Sequence, residues 1–144
     1  MTTTTSRRRT AGTTTRGAGQ RAFGLLVRLT GLGVLLQAVW AGLFLRGDTR
    51  DKHWVAVHGT GADVTTVLAG LTALLAVAVL RHRRAVVVGS VLLAVATFTE
   101  AFLGGRITEQ GQDGLTAVHV PLGMLVMGLA VWLSVQAAQL RRNT

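Results

Sequence analysis

The chain has 144 residues, 49% of them hydrophobic and only 15% charged, with no cysteine. A soluble domain carries about 25% charged residues, so a chain this apolar is expected as one small domain inside a membrane. The missing cysteines exclude disulfides, thiolate metal sites and c-type haem attachment. The net charge of +9 comes without the interleaved aromatics of a nucleic-acid surface. It reads as the positive-inside signal of a membrane protein, with the lipid bilayer as partner and no nucleic acid.

In chain order, residues 1–20 are Thr, Arg, Gly and Ala with no apolar periodicity, and are expected to form a disordered basic tail. The apolar stretch behind this tail is too long for a signal peptide and lacks an A-x-A-like cleavage site. Four spans are predicted over residues 22–45, 54–80, 85–103 and 115–140, so that residues 21–142 make up the membrane domain. Arg28 lies near the inner end of the first span, where its stem can snorkel to the headgroups. Trp40 and Trp54 sit where interface anchors belong. Arg81-His82-Arg83-Arg84 is a strongly basic turn, whereas the loops at 46–53 and 104–114 are nearly balanced in charge. By the distribution of Lys and Arg, both termini and the basic turn face the cytoplasm. The expected setting is a bacterial cytoplasmic membrane.

The two halves of the chain resemble each other. Gln37-Ala38-Val39-Trp40-Ala41-Gly42 aligns with Glu100-Ala101-Phe102-Leu103-Gly104-Gly105, and Ala56-Val57-His58 aligns with Ala117-Val118-His119. The small slip between the two alignments falls in a loop, where length changes cost little. The expected fold is therefore an all-α transmembrane four-helix bundle, built from two parallel helix–loop–helix repeats. In such bundles cofactors sit between facing helices.

His58 and His119 are the residues on which a function turns. An ionisable group inside a span is a functional-site hypothesis by default, and these two fall at matching depth near the outer ends of spans 2 and 4. Two neutral imidazoles on facing helices can supply both axial positions of a haem iron. A flat macrocycle needs small neighbours, which Gly59, Gly61 and Gly123 provide, with Gly42, Gly104 and Gly105 nearby. Small residues also serve simply to let membrane helices pack closely. Pro121 removes a backbone donor just after His119.

Glu100, with Gln37 as its counterpart, lies at similar depth. It reads as an acceptor for an imidazole N–H, as a third ligand that would make His58, His119 and Glu100 a non-haem metal site, or as a proton-handling group near a quinone. Arg106 is placed to pair with Glu100 or with a haem propionate. Asp63 follows His58 by five residues, about 140° round the helix, and does not share its face. His53 at the loop edge and His82 in the basic turn read as solvated. No G-x-S-x-G, P-loop, H-E-x-x-H or dinucleotide fingerprint occurs, and no catalytic residue is assigned.

The run Glu100-Ala101-Phe102-Leu103-Gly104-Gly105, a polar loop and then Ala117-Val118-His119 resembles the third-to-fourth-span stretch of one half of haem A synthase. The chain is also similar to small four-span bacterial membrane proteins of unknown function. The resemblance covers roughly residues 23–140 and implies that His58 and His119 are axial ligands of a b-type haem. The chain departs from that family in having one half instead of two. It has Val55-Ala56-Val57 where an acidic residue precedes the second-span histidine, and no cysteine pair. What the resemblance implies is thus a haem-binding bundle for electron transfer or haem handling, not haem A synthesis by this chain alone. With one histidine pair, electrons would need a quinone, a partner subunit or a second copy in a homodimer. The alternative is a cofactor-free four-span accessory subunit or small transporter, whose histidines and Glu100 pair with one another.

Overall fold

The computed structural model describes residues 7–46 and 50–142, with side chains from residue 17 onward. Helix α1 runs Arg7–Phe44, α2 Lys52–Val79, α3 Arg84–Gln110 and α4 Thr116–Arg142, the last preceded by a single 3-10 turn at Asp113–Leu115. The stretches long and apolar enough to cross a bilayer are Gly17–Phe44, Lys52–Val79, Arg84–Gln110 and Asp113–Arg142. The protein is a multi-pass membrane protein.

Three boundaries differ from the sequence reading, each for a local reason. Residues 7–20, expected as tail, continue α1 at its N-terminal end; residues 1–6 lie outside the described part. Helix α2 starts at Lys52, two residues ahead of the predicted span, because the Asp51 carboxylate caps it by accepting the His53 backbone N–H at 2.9 Å. Helix α3 does not stop at residue 103 but continues through Gly104, Gly105 and Arg106 to Gln110, with Ile107 buried. It ends where Gly111 takes a left-handed φ of 65° and the chain turns back onto the Arg106 carbonyl.

The helices form a closed ring. Each packs on its neighbour in sequence and α1 packs on α4, whereas the diagonal pairs α1/α3 and α2/α4 do not meet. Close approaches fix the antiparallel registers. A Cβ at Gly33 would stand 2.5 Å from Thr65 Oγ1, and one at Gly19 would meet Val79. On the α1/α4 seam, Gly24 faces Ala137 and Gly31 faces Ala130, and on the α3/α4 seam Gly89 lies against the Trp132 ring.

Packing divides the bundle lengthwise. The fully buried core, with Phe23, Val27, Leu80, Leu93, Leu133 and Ala137 among its members, fills the end that carries Arg21, the Arg81–Arg84 turn and Arg142. Its buried hydroxyls are satisfied within their own helices: Thr30, Thr72, Ser90 and Thr97 each donate to the carbonyl four residues back. Outward, large apolar side chains such as Leu74, Met124, Leu125 and Phe98 are exposed, as a lipid-facing surface requires. Towards the opposite end the interior changes from tightly packed and apolar to partly buried and polar.

Candidate functional site: a polar band across the bundle

Four polar residues, one from each helix, enter the interior of that second half: Gln37 on α1, His58 on α2, Glu100 on α3 and His119 on α4. The antiparallel registers place them within about one to two helical turns of one another along the bundle axis. All four side chains are partly buried, and the ring order puts the two histidines on diagonally opposed helices.

Each histidine leans on the preceding helix. His58 Nδ1 lies 3.1 Å from the Gln37 backbone carbonyl, and the Phe44 ring meets the imidazole edge-on at 5.3 Å between centroids. That carbonyl can only accept, so the contact selects the tautomer in which Nδ1 donates. His119 Nδ1 lies 2.7 Å from Glu100 Oε2, with side chains 22% and 15% exposed. Here the ring N–H is not aligned with the oxygen, so the pair is a close electrostatic contact and not a well-formed hydrogen bond. His58 is within electrostatic reach of both His119 and Glu100. Among the described residues the Nε2 atom of neither ring makes a hydrogen bond.

The band is under-satisfied. Gln37 Nε2 and Oε1 and Glu100 Oε1 are buried without a hydrogen-bond partner. Burying an unpaired amide or carboxylate oxygen costs about 1–3 kcal/mol. Native interiors tolerate few such groups, and those that persist mark a place where something else completes the bonding. The contrast with the self-satisfied hydroxyls of the packed half is sharp.

The other residues singled out by sequence fall into two groups. Gly123 lies beside the Glu100 carboxylate, 3.7 Å from where its Cβ would be, and Gly104 lies 3.5 Å from His119 Cε1 in the same sense. Both adjoin the band. Gly61 faces inward, but the space beside it is taken by the Trp40 ring and the Gln37 amide; Trp40 is therefore packed between α1 and α2 and is only partly exposed. Gly59 is exposed with nothing near it, so it adds no room between the helices. Arg106 does not pair with Glu100: its Nε donates to Gln112 Oε1 at 3.4 Å and its guanidinium lies over Phe102. It sits six residues beyond Glu100, about 120° away around α3. Asp63 is exposed, away from the His58 face, in agreement with its angular offset.

No group of three or more His, Asp or Glu side chains converges for a metal among the described residues. Glu100 is engaged with His119 alone, which gives the three-ligand arrangement no geometric support.

Sequence reasoning missed the Arg50–Asp113 ion pair, 2.7 Å long, which ties the α1/α2 and α3/α4 connections together. Nothing local marks it, because two opposite charges 63 positions apart in separate loops are brought together only by the bundle. It also missed Phe44 as the support of His58, since a buried aromatic at a span end looks like any interface anchor. No protein-family profile, characterised protein or solved structure matches this chain.

Proposed function

We propose that this protein is a small membrane cytochrome that holds one b-type haem through His58 and His119. The observation that carries the reading is the pair of diagonally opposed imidazoles, each backed at Nδ1 by the preceding helix and each with Nε2 unengaged. Backing at one ring nitrogen orients the ring and raises the basicity of the other, which is the usual state of a metal-bound histidine. The residues fit the group. Two nitrogen donors suit haem iron, and the unpartnered atoms of Gln37 and Glu100 lie in the same band.

When bound, such a haem supplies one-electron chemistry. The protein's own part is to position and to insulate. Gln37 and Glu100 hold the two imidazoles, Phe44 and the packed half exclude water, and the Glu100 carboxylate places negative charge beside His119. The matched supports, Gln37 for His58 and Glu100 for His119, are consistent with a doubled helix–loop–helix unit. In this reading the termini and the basic turn face the cytoplasm of a bacterial cell. Electrons pass to or from a quinone, a partner subunit or a second copy.

A second reading rests on the His119–Glu100 contact itself, which already gives a buried carboxylate a partner. On that basis the chain is a cofactor-free accessory subunit or small transporter with an internal polar link.

Absorbance spectra of the detergent-purified protein, oxidised and dithionite-reduced, separate the two readings. Wild type expressed with ample haem is expected to show a Soret band and sharp reduced α and β bands, lost in both His58→Ala and His119→Ala. A featureless wild-type spectrum sinks the cytochrome and leaves the second reading.

A further inference from the structure

Arg28 is the most unusual side chain outside the polar band. It is exposed on α1, seven residues and therefore about 10 Å deeper along the helix than Arg21. That depth lies inside the apolar stretch Gly17–Phe44, where a guanidinium is costly unless it finds a counter-charge or reaches the interface. Among the described residues no acidic side chain pairs with it.

Arg28 lines a groove of about 470 Å3 between α1 and α4, walled further in by Leu32, Leu35, Met127 and Val131, with Ser134 at its own level. The register Gly31 to Ala130 and Gly24 to Ala137 fixes that level. Below Arg28, towards the basic end, two more guanidinium groups continue the same seam. Neither lines the groove itself: Arg21 follows on α1 at the seven-residue spacing that repeats a helix face, its Nε donating to the Gly17 carbonyl at 3.3 Å, and exposed Arg142 follows the groove residue Ala138 by four on α4. The seam therefore offers an apolar slot of acyl-chain character that opens onto three positive charges, facing lipid; the Ser134 hydroxyl beside it already donates to the Ala130 carbonyl at 2.8 Å.

We infer that the α1/α4 groove is a binding site for an anionic phospholipid, with a headgroup phosphate held by Arg28, Arg21 and Arg142 and an acyl chain lying along Leu32, Leu35 and Val131. Guanidinium and phosphate match in charge and in donor geometry, two parallel N–H bonds to two oxygens. Basic pockets between spans recognise acidic headgroups on this principle. A zwitterionic lipid brings its own cation and gains little from the cluster. The site is separate from the polar band and does not depend on haem.

The test is native mass spectrometry of the full-length, delipidated protein in detergent, titrated with phosphatidylglycerol or with phosphatidylcholine of the same chains. Wild type is expected to retain one phosphatidylglycerol about fivefold or more tightly than phosphatidylcholine, from about 1 kcal/mol per engaged arginine. Arg28→Gln should reduce that preference about fivefold, the share of one arginine. Val131→Trp, which fills the slot and keeps every charge, should weaken retention too, whereas Arg83→Gln on the basic turn should leave it unchanged. Removing a charge from the lipid face does not threaten folding, so loss in Arg28→Gln reads as loss of the site. Equal retention of the two lipids by wild type would overturn the proposal, and so would a preference undiminished in both Arg28→Gln and Val131→Trp. A preference lost equally in Arg83→Gln would also overturn it, by assigning selectivity to the general basic rim.

Discussion

Replacing His119 with alanine, in protein free of any cofactor, should cost more stability than replacing Glu100 with glutamine, because the two changes strand different groups. The pair is 2.7 Å apart and mostly buried. At an effective dielectric of 20, unit charges 4 Å apart attract by about 4 kcal/mol, an upper figure because charging the pair also requires desolvation. His119→Ala leaves a carboxylate in an apolar interior without a partner, which costs about 3 kcal/mol. Glu100→Gln keeps shape and one acceptor oxygen and removes the charge, so about 1 kcal/mol is expected. In the double variant the stranded carboxylate is gone, and the loss should fall to about 2 kcal/mol instead of the additive 4. The resulting coupling of about 2 kcal/mol can be read by a double-mutant cycle on reversible unfolding in mixed micelles, with far-ultraviolet circular dichroism as the probe. Additivity within about 0.5 kcal/mol would refute the pairing and, with it, the assignment of Glu100 as the group that holds His119.

Two further outcomes follow from other parts of the structure. Leu133 is fully buried whereas Leu125 is 70% exposed to lipid, so Leu133→Ala should destabilise by about 2–5 kcal/mol and Leu125→Ala by a small fraction of that in the same unfolding assay. The Arg50–Asp113 pair is solvent-exposed, so Arg50→Asp should cost at most about 1 kcal/mol and the effect should shrink in high salt. The charge-swapped pair Arg50→Asp with Asp113→Arg should recover it.

Much of the architecture is legible before folding because lipid acts as a uniform solvent. A run of about 20 apolar residues must be a helix when no water is present to satisfy its backbone, so four such runs determine four spans whatever their packing. The boundaries were less legible. Extension of α3 through Gly104 and Gly105 depends on Ile107 finding a buried place and on Gly111 closing the helix, neither of which hydropathy records. Similarly, the Asp51 cap lies outside any apolar pattern.

For the polar band, sequence alone singled out its members: two histidines, a glutamate and a glutamine in apolar surroundings are conspicuous by their cost. Their pairings were decided only by tertiary structure. Glu100 takes His119 and not Arg106, because Arg106 lies a third of a turn away around α3. His58 takes a backbone carbonyl, a group that every residue carries and no motif marks. Gly59 and Gly61 look alike in sequence, yet helix rotation turns one to the exposed surface and sets the other against Trp40. The same holds for Arg28, which sequence places near a membrane interface, while the groove beside it exists only because α1 packs on α4, and no local pattern encodes a contact between the first and last helices of the chain.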